Sequence, residues 1–258
     1  MKTPQIALLD HGYVRLVESY GSDQSIIEAA RMSTDKGFLG WGPKHDIECR
    51  VFDHAWSGDD PYPCSCVGGP KPGDEKLLRY LYEKKHSTPF EMAGLIIEVQ
   101  APIFVFREWH RHRTQSYSEM SARYTPLPDL NYVPSISRLM IGSDGVNRQA
   151  GTIAGSKNLT QADALDFQHR LRRMYEDQQA VYEWALQHGV PKELARVHLP
   201  VGRYSKMRAH ANLRNWLAFL TLRMAPDAQW EIREYANAVG ALVKEIYPRT
   251  WSLFVGDP

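Results

Sequence analysis

The segment Gly94-Leu-Ile-Ile-Glu-Val-Gln-Ala-Pro-Ile-Phe-Val-Phe-Arg-Glu-Trp-His-Arg-His-Arg113 decides the fold. In its first half Leu95, Ile97 and Val99 alternate with other residues, and this period of two predicts a strand over Gly94–Gln100. Pro102 suits the first position of a helix, because the missing N–H of proline has no partner there in any case. The segment therefore predicts a strand that leads into a helix from Ile103 to about His112.

Further elements follow on both sides of this segment. Helical periodicity and capping residues predict helices from Ser25 to Met32 with a Ser25/Glu28 capping box, Asp74 to about His86, Thr160 to His188, a short turn between Pro191 and Pro200, Asn212 to Met224, and Asp227 to about Ile246. Further strands are predicted at Val14–Glu18 and Tyr204–Ala211, and Tyr132–Pro134 reads as extended. Gly, Pro and Asp enrichment predicts a surface insertion at about 37–73 and a loop at 142–159. The pattern indicates a single α+β domain over residues 1–258.

The composition excludes several classes of protein. The net charge is +1 over 258 residues, so no global field attracts nucleic acid or anionic lipid. Apolar runs are too short for a membrane span, and the N-terminus lacks a secretory signal. Three cysteines, Cys49, Cys64 and Cys66, cannot all pair within one chain, which favours a reduced, cytoplasmic setting. Their spacing, with His45 and His54 nearby, matches no closed zinc module, so no metal is expected.

Basic residues crowd the end of the predicted helix, at Arg107, His110 and Arg111-His112-Arg113. One or two cations would suit a helix C-terminus, but this many repel one another unless an anion lies between them. The next ten residues, Thr114–Arg123, are rich in hydroxyl groups and have little to bury. Alone, they read equally well as a solvated loop. Together with the cations, this predicted loop indicates a site for a phosphorylated ligand with a hydrogen-bonding ring.

The spacing Arg111-His112-Arg113, seven residues, then Ser121 resembles the signature of the flavin-dependent thymidylate synthases. Further segments extend the resemblance: His86–Glu91, Ala101–Val105, Ser121–Tyr124, Pro191–Pro200, Asn212–Arg214, Leu222–Arg223 and Ala228–Ile232. The resemblance covers most of residues 8–36 and 74–254 and leaves out the insertion. It implies a central, mostly antiparallel twisted sheet flanked by helices, and a homotetramer with active sites at subunit interfaces.

The resemblance also implies the chemistry. The enzyme would convert dUMP to dTMP with methylenetetrahydrofolate as carbon donor and NADPH as reductant, the hydride passing through FAD. Residues implied for FAD are Thr88, Arg111, His112, Arg113, Glu119, Asn212, Leu213, Arg214 and Ala218. Residues implied for dUMP are Glu108, Trp109, His110 and Arg111 of one subunit, Glu119, Met120, Ser121, Ala122 and Arg123 of another, and Arg196 and Arg223. Arg123 and Arg196 are the candidates for its phosphate.

Arg223, Ser121 and His86 are the catalytic candidates. A fixed guanidinium charge at the N3/O4 edge of uracil favours the ionised ring and makes C5 more nucleophilic. The alternative for Arg223 is a helix C-terminal cation. Ser121 has no evident base to activate it, so a hydrogen bond to the nucleotide is favoured over nucleophilic attack. His86 would orient substrate or flavin, or would only cap a helix.

The chain departs from the family at two of these positions. Glu108 stands where relatives often carry Gln, and its charge needs a partner, for which Arg107 and Arg111 are the candidates. Ala218 stands where a polar flavin contact is usual. All three cysteines lie in the insertion, which suits a reaction without a cysteine nucleophile.

Two other functions remain open from the sequence alone. One is a flavoprotein oxidase or reductase that binds nucleotides and transfers no methyl group. The other is a nucleic-acid-binding module built on Arg111–Arg113, against which the balanced net charge counts.

Overall fold

A computed structural model of the chain describes residues 5–41, 74–141 and 159–256. In this part of the chain five strands form one sheet: β1 (Gln5–Leu8), β2 (Gly12–Tyr20), β3 (Gly94–Pro102), β4 (Ser116–Glu119) and β5 (Tyr204–Asn212). Their order is β1-β2-β3-β5-β4, and every neighbouring pair is antiparallel. The predicted α+β class with an antiparallel central sheet is confirmed.

The helices of the described residues are α1 (Asp23–Arg31), α2 (Asp74–Glu83), α3 (Ile103–Trp109), α4 (Ile136–Met140), α5 (Gln161–Gln187), α6 (Lys192–Ala195), α7 (Leu213–Arg223), α8 (Trp230–Ile246) and α9 (Pro248–Val255). Short 3-10 turns cover Met32–Thr34 and Thr88–Met92. Within the described residues, no helix is both long enough and apolar enough to cross a bilayer.

The chain divides into two compact units. Unit 1 contains Met1–Tyr20 and Gly94–Ile246, and unit 2 contains Gly21–Ala93 and Tyr247–Pro258. The single domain with an insertion at about 37–73 stays a prediction, because residues 42–73, with all three cysteines, lie outside the described residues. The loop predicted at 142–159 lies almost entirely outside them as well.

In unit 1, β3 is the central strand, and its alternation is the one that the sequence predicts. Leu95, Ile97 and Val99 are fully buried. On the opposite face, the Glu98 carboxylate accepts hydrogen bonds from Tyr13 Oη at 2.8 Å and Arg15 Nη2 at 2.6 Å. Helices α3, α7 and α8 cover the apolar side of the sheet, with an aromatic core of Trp109, Trp216, Phe219 and Tyr235.

In unit 2, two buried carboxylates accept hydrogen bonds from backbone N–H groups. Asp74, the first residue of α2, accepts hydrogen bonds from the Arg31 guanidinium and from the backbone N–H groups of Leu39 and Gly40 at 2.7 and 2.8 Å. Asp23 accepts hydrogen bonds from the backbone N–H groups of Arg249 and Thr250, which satisfies free donors in the first turn of α9. Both carboxylates therefore hold backbone that has no partner of its own.

The predicted element boundaries need four corrections. The capping box of α1 is Ser22/Ser25, because Ser25 already lies in the first turn and its side chain accepts from the Ser22 N–H. Helix α8 begins at Trp230, three residues after Asp227. The predicted helix after Pro102 ends at Trp109, before the crowded cations. Thr114–Arg123 is not all loop, since Ser116–Glu119 pairs with β5 as β4. Strand β1 and helices α4 and α9 had no counterpart among the predictions.

Candidate active site

The turn that carries Arg111, His112 and Arg113 follows the end of α3 and is held by β4. Tyr117 Oη donates to the His112 carbonyl at 2.7 Å and lies 3.2 Å from the Trp109 carbonyl. Burial raises the pKa of Tyr117 to about 12, so this hydroxyl keeps its proton at neutral pH. The backbone of the turn is thereby fixed, while the Arg111 and Arg113 side chains remain exposed.

This turn lies at the N-terminus of α7. Asn212 caps the helix, its Oδ1 accepting from the Asn215 N–H at 3.0 Å. Asn215 Nδ2 donates to the Thr114 carbonyl at 3.2 Å and so connects the helix start to the turn. Arg214, also exposed, lies in the first turn of α7. The exposed arginines and the N-terminal end of a helix dipole together form a strongly anion-attracting edge.

At its other end, α7 supplies Arg223, whose guanidinium contacts the last turn of α3. Arg223 Nε donates to His112 Nε2 at 2.8 Å, Nη1 donates to Glu108 Oε2 at 2.8 Å, and Nη2 donates to the Glu108 carbonyl at 3.0 Å. We call Glu108, His112 and Arg223 the Arg223 cluster. It lies above the aromatic core, where the His112 ring meets Phe219 edge-on at 4.9 Å.

His112 is neutral in this cluster. Burial and the adjacent Arg223 charge lower the pKa of His112 from 6.5 to about 4, and the Glu108 carboxylate offsets only part of this. Because Nε2 accepts from a guanidinium, Nδ1 carries the proton of the neutral ring. The cluster therefore holds one cation and one anion at neutral pH.

The partner expected for Glu108 was wrong. Arg107 and Arg111 lie closest in sequence, but Arg223, 115 residues away, takes the carboxylate. The Arg223 side chain is 17% exposed and the Glu108 side chain is 42% exposed. The ion pair therefore lies at the protein surface with its carboxylate on the solvent side.

A second group of predicted residues, the Arg123 cluster, comprises Ser121, Arg123, Glu193 and Arg196. Arg123 Nε lies 3.3 Å from Glu193 Oε2, and both side chains are more than half exposed. Ser121 Oγ accepts from the Arg123 N–H at 3.3 Å, which closes a tight turn. Arg196 follows Glu193 by three residues at the end of α6, so both lie on the same side of that helix. Arg123 is exposed, and Arg196 is half-buried at the end of this short helix.

A buried arginine that the sequence analysis did not single out fixes the chain after this turn. Arg203 is 1% exposed. Its Nη1 donates to Asp129 Oδ1 at 3.0 Å, and its Nη2 donates to Gln179 Oε1 at 2.7 Å and to the Leu127 carbonyl at 3.3 Å. Arg203, directly before β5, therefore connects two other parts of the chain: the segment that follows the Arg123 cluster, and helix α5.

Three predicted ligand-contacting residues have buried side chains. Trp109 is fully buried, and its Nε1 donates to Gln115 Oε1 at 3.0 Å. Leu213 is fully buried, and Ala122 is 3% exposed. The side chains of these residues pack in the core, so only their backbone atoms are available to a ligand. Ligand contact at Trp109 and Leu213 stays a prediction, for which the backbone atoms are the available groups.

The remaining predicted residues occupy separate positions. His86 and Thr88 lie in unit 2, where His86 is exposed beside Tyr80 and Thr88 begins a 3-10 turn. In unit 1, exposed Glu119 ends β4, and the Met120 N–H donates to the Lys206 carbonyl at 2.8 Å. The His110 ring packs against Tyr117, and Ala218 is exposed on α7.

Sequence reasoning missed three residues that hold the site together: Tyr117, Asn215 and Arg203. The alternation Ser-Tyr-Ser-Glu over 116–119 is a strand signal that would have placed Tyr117 toward α3. Asn215, three residues after the capping Asn212, carries a weaker signal. Arg203 has no local signal at all.

Comparison with known proteins gives the family. The sequence model described as "Thymidylate synthase complementing protein" matches residues 15–249. A flavin-dependent thymidylate synthase of Thermus thermophilus is 36% identical over 249 residues, which cover 96% of this chain and 77% of that protein. The enzyme of the same description from Anaplasma marginale is 34% identical over 251 residues, covering 97% and 74% of the two chains.

Solved structures agree with this result. The UMP/dUMP methylase PolB from Streptomyces cacaoi, bound with 5-Br UMP, superposes with a TM-score of 0.74 at 29% identity and 98% coverage of both chains. The same protein bound with 5-Br dUMP gives a TM-score of 0.73 at 31% identity and 97% coverage of both chains. The chain therefore belongs to the flavin-dependent thymidylate synthase family and is an enzyme of that methyltransferase class.

Proposed function

We propose that this enzyme converts dUMP to dTMP, with methylenetetrahydrofolate as carbon donor and NADPH as reductant through FAD. The observation that carries this proposal is the Arg223 cluster, where a guanidinium lies at the surface with two neutral acceptors and one exposed carboxylate. A related protein of known structure, PolB, is described as a UMP/dUMP methylase and was solved with brominated nucleotides bound.

In this proposal Arg223 acts on the pyrimidine ring. Its charge favours negative charge at N3 and O4 of uracil, and this makes C5 the nucleophile that receives the carbon unit. The low pKa of His112 supports this role, because a neutral imidazole fixes the guanidinium without adding a second cation. Arg223 therefore keeps its orientation while His112 stays neutral.

The residues at the α7 N-terminus fit a flavin dinucleotide. Exposed Arg111, Arg113 and Arg214 supply forked donors for a diphosphate, and the positive end of the α7 helix dipole adds to their attraction. The remaining polar contacts to the flavin come from His112, Glu119, Asn212 and the backbone at Leu213. The polar flavin contact that relatives usually make at position 218 is missing, because alanine has no polar side chain. When bound and reduced by NADPH, FAD would supply the hydride that reduces the transferred carbon unit. The contact of Thr88 with the flavin and the orienting role of His86 stay predictions from the family resemblance.

The Arg123 cluster is the proposed phosphate site for dUMP. Arg123 and Arg196 supply the charge, and Ser121 supplies a hydroxyl donor to the nucleotide. Backbone groups at Glu119, Met120 and Ala122, and the His110 ring with Arg111, form the rest of the nucleotide surface. The Glu193 carboxylate, which pairs with Arg123 in the free chain, is exposed and able to move away.

We further propose a cytoplasmic homotetramer with active sites at subunit interfaces. An apolar stripe on α5 supports assembly, since Phe167, Met174 and Val181 keep helical spacing yet are 45%, 44% and 54% exposed in the single chain. The sequence predicts this stripe as a packed face, and a neighbouring subunit would pack it. Polynucleotides are not expected to bind.

The reaction needs no protein thiolate in this proposal. All three cysteines lie between residues 49 and 66, away in sequence from both arginine clusters. Serine replacement of all three should therefore leave dTMP formation intact, whereas an enzyme that attacks uracil with cysteine would lose it.

The function is tested with purified protein, dUMP, NADPH and methylenetetrahydrofolate labelled in its one-carbon unit. We expect labelled dTMP. NADPH oxidation without labelled dTMP would contradict the proposal and indicate a flavoprotein oxidase or reductase instead.

A further inference from the structure

The three acceptors of Arg223 differ in kind. His112 Nε2 and the Glu108 carbonyl are uncharged and are held by the backbone turn that Tyr117 fixes. The third acceptor, the Glu108 carboxylate, is charged and sits on a side chain that is 42% exposed. The cluster therefore combines two permanent contacts with one that can be exchanged.

The permanent contacts are enough to orient the guanidinium. A guanidinium is planar, so hydrogen bonds from Nε and Nη2 define its plane without any help from Nη1. Nη1 then faces the exposed side, where the Glu108 carboxylate occupies the position that a ligand oxygen would take.

We propose that the Glu108 carboxylate is an internal counter-ion of Arg223, which the pyrimidine ring of dUMP displaces from Nη1 on binding. This inference rests on the proposed role of Arg223 and adds a residue that sets the affinity for the ring. While the carboxylate stays, the pair is neutral and gives an ionised ring little support. Once it moves into solvent, the guanidinium charge faces the pyrimidine alone.

Glu108→Gln tests the displacement. The amide still offers an oxygen to Nη1, but it holds the guanidinium less strongly than a carboxylate does. A half-exposed ion pair of this type corresponds to about a 2- to 5-fold change in affinity. We therefore expect dUMP to bind Glu108→Gln about 2- to 5-fold more tightly than it binds the wild type, measured by equilibrium dialysis of the holoenzyme with labelled dUMP.

Two controls separate displacement from a general charge effect. Asp166→Asn removes an exposed carboxylate that pairs with Arg170 at 2.7 Å on α5, and it changes net charge by the same amount. It should leave dUMP affinity unchanged. Deoxyribose 5-phosphate, which lacks the ring, should bind Glu108→Gln and wild type equally.

Each outcome decides the matter. Unchanged or weaker dUMP binding by Glu108→Gln overturns the inference, and so does an equal gain for deoxyribose 5-phosphate. If the wild type makes dTMP and Glu108→Gln binds dUMP no more tightly, the counter-ion role of Glu108 is wrong and the proposed function still stands. A wild type that does not bind dUMP contradicts both.

Discussion

Arg203 and Arg223 use the same functional group in opposite ways. Arg203 is 1% exposed, and its acceptors come from two separate parts of the chain: the segment with Leu127 and Asp129, and Gln179 on α5. Arg223 is 17% exposed and all its acceptors come from one turn, at Glu108 and His112. The first guanidinium joins distant segments, and the second is presented at the surface by a single rigid support.

The difference in exposure between Arg203 and Arg223 determines whether the charged side chain stabilises the fold or can bind a ligand. A buried cation loses its hydration, and burial accordingly lowers the pKa of Arg203 below its ordinary value. Arg203 forms three hydrogen bonds within the chain, and its Nε is buried without a partner among the described residues. A ligand cannot reach donors at that depth. Arg223 also forms three hydrogen bonds, but its guanidinium is partly exposed at the surface. Only the exposed arrangement suits a binding site.

The largest expected effect is on turnover when Arg223 is changed. Arg223→Gln removes the charge that faces the pyrimidine, and loss of one such group costs about 100- to 1,000-fold in kcat. The free energy of unfolding should change less than it does for loss of Arg203, because Arg223 is the more exposed of the two arginines. Arg208→Gln is the matched control, a 59% exposed arginine whose Nε lies 3.8 Å from Glu98. An Arg223→Gln enzyme with wild-type kcat for dTMP would remove Arg223 from the chemistry.

For Arg203 we expect a large effect of substitution on the free energy of unfolding. Arg203→Leu leaves the Leu127 carbonyl and the Gln179 amide without their donor, and each buried unsatisfied group costs about 1–3 kcal/mol. We therefore expect a loss of about 2–4 kcal/mol in the free energy of unfolding, measured by urea denaturation. Arg208→Leu on β5 should change it by less than about 0.5 kcal/mol, as surface substitutions do. Equal stability of the two variants would break the comparison.

A smaller effect is expected on the free energy of unfolding at acidic pH. His112 has a folded pKa of about 4 against 6.5 for the ordinary group, so between these values the unfolded chain binds the extra proton. Stability from this group is therefore complete above about pH 6.5, declines as the pH falls toward 4, and changes no further below that. His112→Gln should flatten this part of the profile. Urea midpoints at several pH values between 4 and 7 measure it, and parallel profiles for both proteins would contradict the low pKa.

Local signals in the sequence were enough for much of the fold. The alternation of Leu95, Ile97 and Val99 predicted β3, and the caps Thr160 and Asn212 predicted the starts of α5 and α7. These features depend on neighbours within one or two turns. The start of α8 was misplaced because Asp227 resembles a cap, although the helix begins only at Trp230.

The site contacts depend on tertiary packing and could not be predicted in this way. Arg223 lies 111 residues from His112 and 115 from Glu108, so the sequence offered only nearer partners for the carboxylate. The signature around Arg111–Arg113 predicts a ligand site, and that site stays a prediction. It could not show that Trp109 and Leu213, within the predicted set, would turn their side chains into the core.

The absorbance spectrum of the purified protein, titrated with dUMP, tests the central claim most directly. The account predicts a yellow protein whose flavin bands shift as dUMP binds, and an Arg223→Gln variant that stays yellow but needs far more dUMP for the same shift. A colourless protein that gains no bands on addition of FAD, or flavin bands indifferent to dUMP in the wild type, would contradict it.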